Sequence, residues 1–323
     1  MMRKNGILAL AAGSCLTAAA VCAADITVSC TLMDIALDHE PPRILTALKS
    51  RISRTKRTGA FLDTLRAAEE GILAEESEEI RIRSADGTEL TGHWFPAENA
   101  KRVILAFHGW RARWSRDFSL IAPFWKREGC SLLLAEQRGQ NGSACRYMGF
   151  GLTERFDCLA WAQWAAREFP DTPVYLAGVS MGGTSVLMAA DLELPEQVRG
   201  IMADCAFTSP DGIWEHVVRD NLHLPYAPRR GLVDAICRRK TGYGASEFST
   251  LRSLAAAKVP VLLIHGSDDR FVPISMAYEN CKACSAPRRI AVIPGAGHGM
   301  SYYTDPAAYE QAMRGFWKDF DRA

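Results

Sequence analysis

The chain reads as an α/β protein: a mostly parallel eight-stranded sheet flanked by helices, with a short helical cap inserted late in the chain. Three observations lead there. From about residue 100 onward, short continuously apolar runs alternate with helix-length segments; strands buried on both faces give such runs, and parallel neighbours need helices as crossovers. Ahead of them Ile80-Arg81-Ile82-Arg83 alternates and Asp86-Gly87 turns the chain into a second apolar run at 90–95, the pattern of an antiparallel hairpin. Finally, 323 residues with 48 % hydrophobic and 23 % charged side chains supply a full-sized core and exclude disordered, collagen-like and multi-span membrane chains.

In chain order, the first segment stands apart. Arg3 and Lys4 precede a stretch from Gly6 to Ala24 with no charge, and Asp25, Asp34, Asp38 and Glu40 follow it. This is the layout of an export signal, with Val21-Cys22-Ala23 as a small-residue cleavage site; left uncut, the stretch is long enough to span a thin bilayer. Residues 1–24 are therefore expected to be a signal peptide or membrane anchor. The folded body is then exported or held extracytoplasmically, any membrane association runs through this segment, and a cytoplasmic location is the alternative. Residues 25–77 form an N-terminal helical extension. Pro41 and Pro42 suit a helix start, apolar residues recur at Ile44, Leu45, Leu48 and Ile52, and a second helix carries Phe61, Leu62, Leu65 and Ile72. The basic run from Lys49 to Arg57 reads as a solvated face.

Residues 78–323 hold the sheet: the hairpin, then apolar runs at 103–107, 131–135, 174–177, 200–203, 259–264 and 290–293. Between Asp204 and Val259 lie roughly 55 residues, far more than a simple crossover needs, punctuated by Pro210, Pro225 and Pro228. A cap insertion at about 205–255, over the carboxyl end of the sheet, accounts for them. Its Phe207, Trp214, Leu222, Leu224, Tyr226 and Phe248 either line an apolar pocket or pack the cap onto the sheet. Arg229, Arg230, Arg238 and Arg239 read as a solvated helix face. The net charge of +1 offers no basic field for phosphates, so no nucleic-acid partner is expected. The ten cysteines form no framework: Cys130 and Cys205 sit in apolar runs, and Cys281 and Cys284 lack a second pair for zinc. No metal or cofactor is expected.

The chemistry gathers at strand ends. The run 174–177 leads into Gly178-Val179-Ser180-Met181-Gly182 and then a helix, a sharp turn that lifts the Ser180 hydroxyl out of the sheet as nucleophile. A hydroxyl needs a base. His298, between glycines after the last apolar run, is the candidate, while His265 before Gly266 supports a loop. Asp269 in the segment 265–273 is the candidate to orient the imidazole, with Asp268 and Asp204 as alternatives. The oxyanion donors are the amides of Met181 and of Trp110, the latter in His108-Gly109-Trp110 after the run 103–107. His108 itself is expected to hydrogen-bond within its loop.

Gly178–Gly182, His108-Gly109-Trp110, residues 265–273 and Gly297-His298 together resemble the α/β-hydrolase superfamily over about residues 78–320. Within it the chain is similar to the serine aminopeptidase and prolyl-oligopeptidase-like branches. Their Asp-x-Arg-Gly-His-Gly-x-Ser stands here as Glu136-Gln137-Arg138-Gly139-Gln140-Asn141-Gly142-Ser143, which keeps Arg138, Gly139 and Ser143. Residues 151–157 also match the branch, and Glu154, Arg155 and Asp157 are read as fold-supporting ion pairs. The resemblance implies the α/β-hydrolase fold and a serine hydrolase that cleaves a small-molecule carboxylic ester through an acyl-enzyme, without metal or organic cofactor. A peptidase, amidase or acyltransferase using the same triad is the alternative. A non-catalytic binding protein on this scaffold belongs to another class, and the presence of all three triad members speaks against it.

Overall fold

Val103, Ile104, Leu105, Ala106 and Phe107 carry no polar side chain, and all five are buried. They form the central strand of a sheet that the computed structural model, which describes residues 22–40, 42–53 and 57–321, shows in full. Residues 1–21, which carry most of the expected signal or anchor, lie outside the described residues.

The strands are β1 (Glu78–Arg83), β2 (Glu89–Phe95), β3 (Arg102–Phe107), β4 (Cys130–Ala135), β5 (Val174–Val179), β6 (Val198–Asp204), β7 (Val261–Gly266) and β8 (Arg288–Ile293), ordered β1-β2-β4-β3-β5-β6-β7-β8. β1 pairs antiparallel with β2 and β2 with β4; the other pairs are parallel. β7 starts two residues later than the apolar run at 259–264 suggested. Pro260 has no amide for the ladder, and only its carbonyl joins, accepting from the Ile201 amide at 2.9 Å. Apolar side chains fill both faces of the sheet, with Trp161 and Leu176 in one layer and Trp125 and Trp317 in the other. The order reverses at β3, where β4 lies to one side and β5 to the other, so a crevice opens at the carboxyl ends of these strands.

A third apolar cluster covers that end. It joins Met181 and Phe271 from the strand ends to Trp214, Tyr226, Val233 and Cys237 of the insertion and to Met33, Ile35 and Leu37 of the extension. The insertion comprises helices Pro210–His216, Arg230–Thr241 and Thr250–Ala255. The extension contains the expected helices, Ile44–Ser53 and Gly59–Leu73, and one more over residues 22–37. Asp25 of this additional helix pairs with Arg229 of the insertion at 2.6 Å. Among the described residues, no helix is long and apolar enough to cross a membrane.

Candidate active site

Ser180 lies between β5 and the helix Met181–Met188 with φ 54° and ψ −115°, a strained backbone for a residue with a side chain. The neighbouring glycines make the turn sterically feasible. A Cβ at Gly178 would sit 2.3 Å from the Gly182 carbonyl carbon, and one at Gly182 would sit 1.9 Å from the Phe107 carbonyl oxygen. The Ser180 amide donates to the Asp204 carbonyl at 2.8 Å, which pins the turn to β6.

Three of the expected residues converge. Ser180 Oγ is 2.9 Å from His298 Nε2, and His298 Nδ1 is 2.7 Å from Asp269 Oδ2. A carboxylate only accepts, so Nδ1 donates to Asp269 and Nε2 is left to accept the serine proton. The other Asp269 oxygen accepts the amides of Phe271 and Val272, each at 2.9 Å. Burial works to raise the pKa of Asp269, but the neighbouring His298 and His265 outweigh it and hold the carboxyl well below its ordinary range. The Phe271 ring meets His298 edge-on at 4.8 Å.

The alternatives are occupied elsewhere. Asp268 is exposed and accepts from Ser267 Oγ at 2.8 Å. Asp204 is buried and accepts from Ser301 Oγ at 2.9 Å, and burial pushes it up to about 6. His265 supports its loop, with Nε2 donating to the Val272 carbonyl at 2.9 Å. His108 bonds within its loop through Nδ1, which donates to the Gly109 carbonyl at 2.8 Å, but its Nε2 ties that loop to the one after β4 by accepting the Gln137 amide at 3.2 Å, and burial lowers its pKa.

Met181 is the first residue of its helix, so its amide has no intrahelical partner and faces the serine end. On the β3 side, the Gly109 amide is taken by Asp117 Oδ2 at 2.7 Å, which leaves Trp110 as the next amide of the turn. A Cβ on Gly109 would come within 3.5 Å of the Ser180 Cβ, so this turn passes directly beside the serine. Asp117 was not anticipated, and neither was the way the extension grips this loop. Trp110 Nε1 donates to the Ala36 carbonyl at 2.9 Å, and Arg111 Nη2 donates to the carbonyls of Ile35 at 2.8 Å and Asp38 at 2.6 Å. No spacing of residue types signals contacts between segments about 75 positions apart.

A chamber of about 690 Å³ opens over Ser180 and His298, and the extension walls it with Leu45, Ile52, Phe61 and Leu65. Trp214, Leu222 and Tyr226 of the insertion instead line a separate small cavity of about 60 Å³ beneath the helix 22–37. These three thus line an apolar cavity, but not the chamber that holds Ser180. Its arginines are largely paired, Arg230 with Asp211 at 3.3 Å and Arg238 with Glu247 at 2.7 Å, in addition to Arg229 with Asp25.

Around the neighbouring loop, Arg138 Nε donates to Asp157 at 2.6 Å and Arg155 pairs with Asp191. Glu154 departs from the ion-pair reading: its carboxylate accepts the amides of Gly149 and Gly151, the latter at 2.8 Å. Cys281 and Cys284 are free thiols. Cys205, Asp269 and His298 place potential metal-binding atoms within 4.8 Å of one another, but the last two are bonded to each other, so an ion there would compete with the contact between Asp269 and His298.

Comparison with known proteins agrees with this fold. A family model described as the alpha/beta hydrolase family matches residues 103–312. An uncharacterized protein, YqkD, of Bacillus subtilis is 23 % identical, with 73 % of this chain and 77 % of the relative covered. A non-heme haloperoxidase of Rhodococcus erythropolis is 36 % identical, with 68 % and 92 % covered. Among solved structures, the Pyrococcus furiosus esterase Pf2001 is similar in fold, with a TM-score of 0.60 at 19 % identity over 77 % of this chain and 93 % of the esterase.

Proposed function

The chain belongs to the alpha/beta hydrolase family, and we propose that within it the protein is a serine hydrolase that cleaves small-molecule carboxylic esters. One observation carries the reading: the unbroken path from Ser180 Oγ through His298 to Asp269, with links of 2.9 and 2.7 Å. His298 takes the hydroxyl proton as Ser180 attacks the acyl carbon. The tetrahedral oxyanion then sits before the amides of Met181 and Trp110; a donor so placed is worth about 10²–10³ in rate. His298 returns the proton to the departing alcohol, the acyl group stays on Ser180, and water releases it by the same relay. Asp269 keeps the imidazole in the tautomer this needs.

The enzyme's place outside the cytoplasm, implied by residues 1–24, is part of the proposal; protease accessibility of the protein in intact spheroplasts checks it. The activity is tested with p-nitrophenyl esters of increasing chain length beside aminoacyl anilides. Saturable turnover of the esters, well above that of the anilides, is expected. Faster anilide turnover would make the protein an amidase, and folded protein inert to every activated substrate would overturn the reading.

A further inference from the structure

The chamber over Ser180 carries an excess of positive charge. Arg57, Arg111 and Arg116 line it, against the carboxylates of Asp117 and Asp204. Asp117, fixed by the Gly109 amide at 2.7 Å, offsets part of the charge on Arg57, and buried Asp204 accepts from Ser301 at 2.9 Å. Arg111 spends its donors on the neutral main-chain carbonyls of Ile35, Asp38 and His39. Arg57 and Arg116 are exposed at the chamber wall and make no ion pair among the described residues. Both line the same chamber, and the Arg57 guanidinium lies within electrostatic reach of Arg116, as of Asp117 and Cys205. The arginines of the insertion differ in this respect, because Arg229, Arg230 and Arg238 each meet a carboxylate. Two guanidiniums left facing one cavity repel each other, and an anion between them relieves that repulsion while gaining charge-assisted hydrogen bonds.

Part of the remaining wall is apolar, beside the tyrosines Tyr302, Tyr303 and Tyr309. Leu45, Ile52, Phe61 and Leu65 present hydrocarbon beside the nucleophile, and Phe61 lies beneath the Arg57 guanidinium at 5.7 Å. A ligand that satisfies both surfaces has an apolar chain and a terminal oxyanion. We infer that the substrate is an amphipathic anionic ester, whose apolar part lies along the extension helices and whose carboxylate or phosphate group sits between Arg57 and Arg116. This rests on the ester-hydrolase reading and adds the chemical class of the substrate.

The test compares three activated esters of equal chain length: 4-nitrophenyl butyrate, its analogue with a terminal carboxylate, mono-4-nitrophenyl glutarate, and one with a terminal phosphate. At low ionic strength the wild type should favour one charged ester over the neutral one by about tenfold in kcat/KM, chiefly through KM, and the preference should shrink at high salt. The carboxylate and phosphate arms identify which oxyanion is preferred. Arg57→Gln and Arg116→Gln should each reduce the charged-to-neutral ratio several-fold, the double variant should abolish it, and Arg57→Lys should retain part of it. Both side chains are exposed, so neither change opens a hole in the core. Equal or better turnover of the neutral ester by the wild type, or a preference surviving in the double variant, would overturn the inference while leaving the hydrolase intact. Absence of turnover on all three esters would overturn the hydrolase reading, and this inference with it.

Discussion

The indole of Trp110, the residue proposed to supply an oxyanion amide, donates to the main-chain carbonyl of Ala36 at 2.9 Å. Ala36 lies in the last turn of the helix 22–37, whose final carbonyls have no partners within the helix. Trp110 satisfies the carbonyl of Ala36, Arg111 that of Ile35 and the Met148 amide that of Leu37, so the helix end and the loop after β3 hold each other in place. Trp110→Phe keeps an aromatic side chain, though a smaller one, and removes the donor. The expected result is a kcat about fivefold lower, in line with roughly 1 kcal/mol for a hydrogen bond, with KM little changed. Steady-state kinetics beside a thermal melt checks this: a lowered melting temperature with unchanged kcat would make the bond purely structural.

The turn around Ser180 makes a sharper steric demand. A Cβ at Gly182 would meet the Phe107 carbonyl oxygen at 1.9 Å and the His108 carbonyl oxygen at 2.7 Å, both main-chain atoms that cannot swing away. Gly182→Ala should cost more than about 3 kcal/mol or prevent folding. Gly71, inside the helix Gly59–Leu73, has nothing within 4 Å, so Gly71→Ala should instead stabilise by roughly 0.5–1 kcal/mol. Urea melts of the two variants should move in opposite directions. Equal midpoints would contradict the packing described at the turn.

Asp269→Asn tests the role of the carboxylate with little change of shape. The amide oxygen can still accept from Phe271 and Val272, but its NH₂ group then faces His298 Nδ1 as a donor. The imidazole is driven to the tautomer with its proton on Nε2, where it cannot take one from Ser180. A fall of roughly 10⁴ in kcat is expected, with the fold retained. Asp268→Asn, on an exposed side chain, should leave kcat within about twofold. Comparable losses in the two variants would show that the loop, rather than the Asp269 carboxylate, matters.

Asp204 gives a pH signature in stability. Burial lifts it from an ordinary 3.8 to about 6, so the folded chain binds this proton more tightly than the unfolded one does. Its contribution favours folding below about pH 4 and is lost as pH rises through 6, by up to about 3 kcal/mol. Asp204→Asn removes that titration and keeps an acceptor for Ser301. Relative to wild type, the variant should therefore gain stability between pH 4 and pH 8. Parallel curves for the two proteins would show that Asp204 is already ionised at low pH.

Much of the sheet was legible because each parallel strand is a continuous apolar run, and the turn at Ser180 because its glycines flank a serine between a strand and a helix. The helix 22–37 was not. Its buried positions Ser29, Met33, Ala36 and Leu37 do follow helical spacing, but the first of them is polar, so the apolar pattern is confined to the last turn, and the uncharged stretch ahead of it reads as an export segment. Asp117 escaped notice because its work, holding the Gly109 amide, depends on a chain reversal that no residue type announces. The aromatic content of the insertion leaves two readings open, a pocket wall or packing onto the sheet. In the fold it is the extension that returns over Ser180, while the insertion packs beneath the first helix. Only the three-dimensional path of residues 42–53 and 57–73 decides between them.

The measurement nearest to the central claim is covalent labelling with a fluorophosphonate, followed by peptide mapping. One equivalent of probe bound at Ser180, lost in Ser180→Ala and strongly slowed in His298→Ala, is the predicted result. Labelling that persists in folded Ser180→Ala, or that maps to another serine, would contradict the assignment of Ser180 as the nucleophile.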